Sequence, residues 1–133
     1  MAVQLSAVVR NARLDAIEST IGASAVMKIR SGAAPANCAA ADSGSVLATL
    51  SLPSDWMEAA ASGAKAKSGT WQDTSADLSG SAAHFRIYAS DGTTCHMQGT
   101  VGTSSADLIV DSTAFTAGQP FNITAFALTD GNA

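Results

Sequence analysis

The side chains best suited to chemistry lie close together in one stretch of the sequence, residues 69–101. This stretch contains both histidines, His84 and His96, one of the two cysteines, Cys95, and the only tyrosine, Tyr88. A histidine beside a thiol or hydroxyl group is the usual arrangement for nucleophilic catalysis, with a third group that orients the histidine. Whether these side chains form such a site depends on how the strands that carry them are paired.

The alternation of apolar and polar residues over positions 84–101 predicts a β-hairpin with one buried face. Side chains on a strand alternate with a period of two, so the chosen turn decides which residues share a face. A tight Asp91-Gly92 turn would pair apolar with polar positions, whereas a three-residue loop at 90–92 keeps the apolar face intact and puts Gly92 at a left-handed bulge position. The predicted pairs are Ile87 with Cys95 and Phe85 with Met97.

This register predicts a contact surface and no catalytic residue. It makes Arg86 a neighbour of His96, and a nearby cation lowers the pKa of a histidine without orienting its ring. Cys95 would face the core, where a thiol stays protonated and unreactive. The candidate interface residues on the opposite, polar face are His84, Arg86, Tyr88, His96 and Gln98.

The other candidate groups match no known motif. Four aspartates could suggest a calcium site or a glycosidase pair, but their spacing fits neither, and aspartates beside Ser, Thr and Gly are typical of turns. Cys38 and Cys95 have neither CxxC nor metal-ligand spacing, so we predict free thiols, no metal and no cofactor. Trp56 and Trp71 could stack on sugars in a lectin-like module or pack in the core. The aspartates in question are Asp73, Asp77, Asp107 and Asp111.

Length and composition are those of one domain with a weakly charged surface. Of the 133 residues, 47% are apolar but only 5% are aromatic and 14% charged. A net charge of −4 argues against direct nucleic-acid binding, which normally needs a basic face. No stretch approaches the roughly 18 apolar residues of a membrane span, so we expect no membrane partner. Residues 1–15 lack the apolar core of a secretion signal, which predicts synthesis in a reducing cytosol.

A helix is predicted over residues 4–21. Leu14, Ile17 and Ile21 recur at three- and four-residue spacing, and Gly22 is placed to end the helix with a positive φ. The stripe is a further candidate interface, although the sequence leaves open whether it packs on its own domain or on a partner.

The rest of the chain has the alternation and turn residues of a β-rich domain. Besides the hairpin, the predicted strands are 25–30, 45–52, 106–110 and 120–128. The predicted loops are 32–44 and 59–69, with a short helical turn at 54–58. We therefore predict a mainly β fold: an antiparallel β-sandwich of jelly-roll type (residues 23–133) preceded by one N-terminal α-helix (residues 1–22).

Six segments together resemble a family of small virion structural proteins of tailed bacteriophages. They are ARLDAIESTIG (12–22), SGAAPANCAAADSG (31–44), LATLSLPSDWM (47–57), KSGTWQDTSAD (67–77), HFRIYASDGTTCHMQGTVG (84–102) and ITAFALTDGNA (123–133).

The resemblance implies a structural protein of the virion, assembled in the bacterial cytoplasm, and transfers no catalytic residue. Within it we expect a capsid decoration (cement) protein that bridges capsomers, binds the major capsid protein or other virion proteins, and self-associates as a dimer or trimer. The helix and the loops at 33–43 and 59–69 would become ordered against the capsid. The alternative is a tail or receptor-binding module that uses Trp56, Trp71 or Tyr88 on glycans.

Overall fold

The computed structural model of the chain describes residues 3–130, and the outermost parts of the predicted domain bounds, 1–2 and 131–133, lie outside them. Within this range the chain forms one helix and eleven short strands. The helix is α1, Ala7–Ile21. The strands are β1 Val26–Arg30, β2 Val46–Ser51, β3 Ala64–Ala66, β4 Trp71–Asp73, β5 Gly80–Ser81, β6 His84–Tyr88, β7 Cys95–Gly102, β8 Leu108–Ile109, β9 Ala114–Phe115, β10 Phe121–Ile123 and β11 Ala127–Thr129.

The predicted helix is confirmed, and its apolar stripe packs on its own domain. The Ser6 hydroxyl caps α1 by accepting from the backbone N–H of Val9 at 3.3 Å. Gly22 ends the helix with φ 95°. Leu14 and Ile21 are buried and Ile17 packs against the core. Of the two alternatives that the sequence left open, packing on its own domain or on a partner, the structure shows the first for this stripe.

The mainly β fold is also confirmed, with 35% of residues in strands and 12% in helix. The largest sheet has the order β2-β1-β6-β7-β8, and three two-stranded sheets, β10-β4, β11-β3 and β5-β9, complete the fold. All pairs are antiparallel except β7 with β8. β1 and β2 lie where alternation predicts them.

The predicted hairpin register is wrong by two residues. Ile87 pairs with Met97 and Phe85 with Gly99. The cause is a longer turn: the N–H of Ala89 donates to the carbonyl of Thr94 at 3.0 Å. The Asp91 carboxylate supports this turn by accepting from the N–H of Thr94 at 2.9 Å. Gly92 has φ 71°, the positive value predicted for it.

A register shift at the end of the hairpin changes the face on which Cys95 lies. The shift falls between Ile87 and Tyr88, so that Tyr88 is opposite Cys95. Cys95 therefore shares a face with Tyr88 and Arg86 and lines a cavity with Arg86, contrary to the predicted core position. The sequence analysis could not detect the extra residue in β7, because the period of two predicts faces only for strands that pair without a bulge.

Three further predictions fail because burial overrides local pattern. Residues 59–69 are not simply a loop, since β3 lies within them and pairs with β11. Residues 54–58 form no helical turn, because Trp56 and Met57 are both drawn into the core. The single strand predicted at 120–128 is divided into β10 and β11, which join different partners.

The core lies under the face of β6 that carries Phe85 and Ile87. Its aromatic part is a chain of contacts: Trp56 to Trp71 at 5.9 Å, Trp71 to Phe126 at 5.5 Å and Phe126 to Phe85 at 5.8 Å between ring centroids. The indole N–H of Trp56 donates to the Gly22 carbonyl at 3.0 Å. Both tryptophans are buried, so they cannot stack on a glycan as the lectin-like alternative requires.

Candidate functional site

A polar cluster of three buried side chains and one partly exposed carboxylate holds residues 32–43 over the second face of β6. We name it the Asp42 cluster, composed of Arg30, Asp42, Arg86 and Tyr88. Asp42 Oδ1 accepts from Arg86 Nη1 at 2.6 Å and from the Tyr88 hydroxyl at 2.7 Å. Its Oδ2 lies 3.1 Å from Arg30 Nη2. One carboxylate thus joins two strands through two buried guanidinium groups.

Arg86 uses its remaining donors to bind the backbone of the covering residues. Its Nη2 donates to the carbonyls of Asn37 and Ala40 at 2.9 and 3.1 Å. Its Nε donates to Gln98 Oε1 at 3.1 Å, and Gln98 Nε2 donates to the Pro35 carbonyl at 2.7 Å. Residues 32–43 are therefore attached to β6 and β7 by the chain's own side chains.

The expectation of an open polar contact face on this hairpin is wrong for three of its five residues. His84, Arg86 and Tyr88 do lie opposite the core face, as predicted, but residues 32–43 cover them and all three are buried. Gln98 is half-buried beneath the same residues, and only His96 is exposed. The alternation of the sequence gives the face of a side chain, but not what covers that face.

Burial and hydrogen bonding set the charge state of the cluster. Burial raises the pKa of Asp42, but hydrogen bonds from Tyr88 and Arg86 and the charge of Arg30 outweigh it, and the net pKa is lowered. Burial and the hydrogen bond to Asp42 raise the pKa of Tyr88. Burial lowers the pKa of Arg86, but the Asp42 carboxylate more than compensates and raises it. At neutral pH the Asp42 carboxylate and the Arg86 guanidinium are therefore charged and the Tyr88 hydroxyl is neutral, with none of the three poised to exchange a proton.

His84 is held at the start of the covering residues. Its Nδ1 lies 2.7 Å from the Gly32 carbonyl, and since a carbonyl only accepts, Nδ1 carries the proton. Its Nε2 has no hydrogen-bond partner within residues 3–130, and neither has Nε of its cross-strand neighbour Arg30. The imidazole thus positions Gly32, and the Gly32 carbonyl occupies the place at Nδ1–H where a catalytic histidine has a carboxylate.

A second polar cluster, centred on the buried Lys65, attaches α1 to the body of the domain. Lys65 Nζ lies 2.7 Å from Asp15 Oδ1 and 3.0 Å from Glu18 Oε1, and donates to the Glu58 carbonyl at 2.8 Å. Hydrogen bonds from Lys65 and from the Ala60 N–H lower the pKa of Asp15. Sequence reasoning did not identify Lys65, although it alternates with alanines in AKAK as a strand residue does.

A third feature is an open cleft of about 370 Å³ on the side of the domain formed by β9 and β10. Two phenylalanines, Phe115 and Phe121, pack with ring centroids 4.7 Å apart at its base. Polar side chains surround them, among them Asp111, Gln119 and Asn122. Of the four aspartates considered in the sequence, only Asp111 lies at this cleft. Asp73 and Asp77 accept hydrogen bonds from Thr49 of β2, and Asp107 accepts from Thr100 of β7, so these three carboxylates connect separate segments of the fold.

Within residues 3–130, no three His, Cys, Asp or Glu side chains are grouped so that they could hold a metal ion. In the same range no helix is both long enough and apolar enough to cross a membrane. Comparison with known protein families, with curated proteins and with solved structures finds no match to this chain.

Proposed function

We propose that this chain is a structural virion protein that decorates a bacteriophage capsid and stabilises it by bridging capsomers. The resemblance of six sequence segments suggests the virion, and the use of the polar clusters suggests the structural role. Arg86 and Lys65 are residue types that often take part in catalysis or ligand binding. Here both are buried and attach surface segments to the domain. A rigid domain with fixed loops suits a protein that acts by contact, and we extend the proposal to a jelly-roll-like sandwich body that self-associates as a dimer or trimer.

The observation that carries this proposal is an exposed apolar surface at the N-terminal end of α1. Val3 is 77% exposed, Val8 78% and Val9 44%. The opposite side of the same helix is buried by Leu14 and Ile21, so the helix is already anchored and presents its valines on a rigid support. Neighbouring exposed apolar side chains are typical of interaction surfaces. We assign this surface to the major capsid protein.

A pair of matched variants tests the assignment. Val8→Gln with Val9→Gln removes the helical part of the apolar surface, leaves Val3 in place and keeps good helix formers. Ile109→Thr removes an apolar side chain that is 47% exposed on β8. We expect the helix variant to bind capsids that lack the protein at least about tenfold more weakly, because two valines lose their burial. The strand variant should bind like the wild type, and both should keep the wild-type melting temperature. Equal binding by both variants would refute the assignment, and no binding by the wild type would refute decoration itself.

A second candidate function, glycan binding, has one observation in its favour. The cleft at β9 and β10 combines the aromatic surface of Phe121 with the polar side chains of Asp111 and Asn122. Sugars are usually bound by such a combination of stacking and hydrogen bonding. Asn122→Ala should abolish binding to a glycan array if this function is correct, and leave capsid binding unchanged. If neither the wild type nor the variant binds any glycan, the second function is wrong.

A further inference from the structure

The two cysteines are far apart in the sequence but lie on the same open cavity. Cys38 belongs to the residues that cover the hairpin, and Cys95 is the first residue of β7. Both are free thiols and both are half-buried. Between them the cavity is lined by Asp42 and Arg86 of the Asp42 cluster.

The backbone on both sides of Cys38 is fixed to the strand beside Cys95. The carbonyls of Asn37 and Ala40 accept from Arg86 Nη2, and Asn37 Oδ1 also accepts from the Ala40 N–H at 3.0 Å. Cys95 lies on the same face as Arg86 because of the register shift in the hairpin. The short turn that carries Cys38 is thus held against the strand that carries Cys95.

We propose that Cys38 and Cys95 are a redox pair, which forms an intramolecular disulfide in the folded chain by exchange with a small-molecule disulfide such as glutathione disulfide. The inference rests on the cavity and on the hydrogen bonds that hold the turn. It does not depend on the capsid role.

The exchange proceeds in two balanced steps. The Cys38 thiolate attacks one sulfur of glutathione disulfide, a mixed disulfide forms and one glutathione thiolate leaves. Cys95, deprotonated, then attacks the Cys38 sulfur, and the second glutathione leaves. Two cysteine thiols are oxidised, one glutathione disulfide is reduced, and the two protons end on the glutathione thiols. Burial and the neighbouring Cys38 thiol raise the pKa of Cys95 to about 12, so little thiolate exists there at neutral pH and the first attack falls to Cys38.

The product would attach residues 32–43 to β7 covalently, next to the Asp42 cluster. A cross-link that closes a long loop restricts the unfolded chain more than a short one does. We expect the oxidised protein to melt about 5 °C or more above the reduced protein.

Peptide mapping of the folded protein after treatment with glutathione disulfide tests the proposal. We expect a Cys38–Cys95 peptide that disappears on reduction, together with the higher melting temperature. As a matched control, Cys38→Ser with Ala59→Cys keeps two cysteines but moves one to the segment beside α1. Position 59 lies beside Asp15 and Glu18 of α1, whereas Cys95 lines a different cavity with Asp42 and Arg86. This control should therefore form no intrachain disulfide while folded, because a disulfide needs Cα atoms within about 7 Å.

Three results would overturn the proposal. The first is a wild-type protein that gives only mixed disulfides with glutathione, and the second is one that cross-links only between chains. The third is disulfide formation in the Cys38→Ser, Ala59→Cys control at the same rate as in the wild type, which would show that the fold does not bring Cys38 and Cys95 together.

Discussion

Replacing Asp42 by asparagine tests the main structural conclusion, that one carboxylate holds residues 32–43 against the sheet. Asparagine keeps the shape and one acceptor, but it removes the charge shared by Arg30 and Arg86. Both guanidinium groups are buried, with side chains 7% and 2% exposed. Breaking a fully buried ion pair costs about 3–5 kcal/mol, since the remaining charge is left without compensation.

The expected loss is smaller than this full value because the Asp42 side chain is itself 40% exposed. We therefore expect Asp42→Asn to lower the free energy of unfolding by about 2–3 kcal/mol. For a domain of this length, the entropy of unfolding is about 0.3 kcal/mol/K, so the melting temperature should fall by about 7–10 °C.

Urea denaturation and thermal unfolding followed by circular dichroism measure both quantities. Asp55→Asn is the matched control, since Asp55 is exposed and its loss should change stability by no more than about 0.5 kcal/mol. Amide exchange should also accelerate in residues 32–43 of the Asp42 variant. If the two variants are equally stable, the Asp42 cluster does not hold these residues and the reasoning is refuted.

Three further predictions follow from other contacts. The pKa of Asp42 is lowered, and hydrogen bonds, those from Thr94 first, lower the pKa of Asp91 to about 2. The stabilisation from both carboxylates is therefore complete above the ordinary aspartate pKa of 3.8 and is lost as the pH falls through the pKa values of the folded protein; urea midpoints that do not change between pH 5 and pH 2 would contradict this. Lys65→Ala should cost about 1–2 kcal/mol and speed amide exchange throughout α1, because the largely buried Glu18 loses its counter-ion whereas the exposed Asp15 is solvated; unchanged exchange in α1 would refute the role of this cluster. Gly99→Ala should cost about 1–3 kcal/mol in urea denaturation, because its Cβ would lie 2.7 Å from a ring carbon of Phe85, and a stable variant would contradict the register of the hairpin.

The elements of this fold that follow from local chemistry could be predicted from the sequence. The helix, its glycine end, the strands β1 and β2 and the positive φ of Gly92 all depend on residues close to one another in the chain. Alternation also gave the correct face for Phe85 and Ile87. The actual register differs from the predicted one by two residues, and a shift by an even number leaves every side chain on the same face.

The candidate site could not be predicted, because it depends on which segments cover which faces. Asp42 lies in the predicted loop 32–44, and nothing in its sequence neighbourhood indicates that two arginines on β1 and β6 reach it. Alternation alone could not show that residues 32–43 cover Tyr88. Cys95 was assigned to the wrong face because a bulge adds one residue to a strand without leaving a pattern in the sequence.

The proposed function predicts that a phage or prophage encodes this chain, and its most direct test is the number and location of copies of the chain in intact virions from that source. Quantitative mass spectrometry of purified heads and tails, together with electron cryomicroscopy of the head, gives both. Decoration predicts copies on the outer head surface in fixed proportion to the major capsid protein, with the N-terminal end of α1 against the lattice. A handful of copies per virion, or copies found only in the tail fraction, would contradict it.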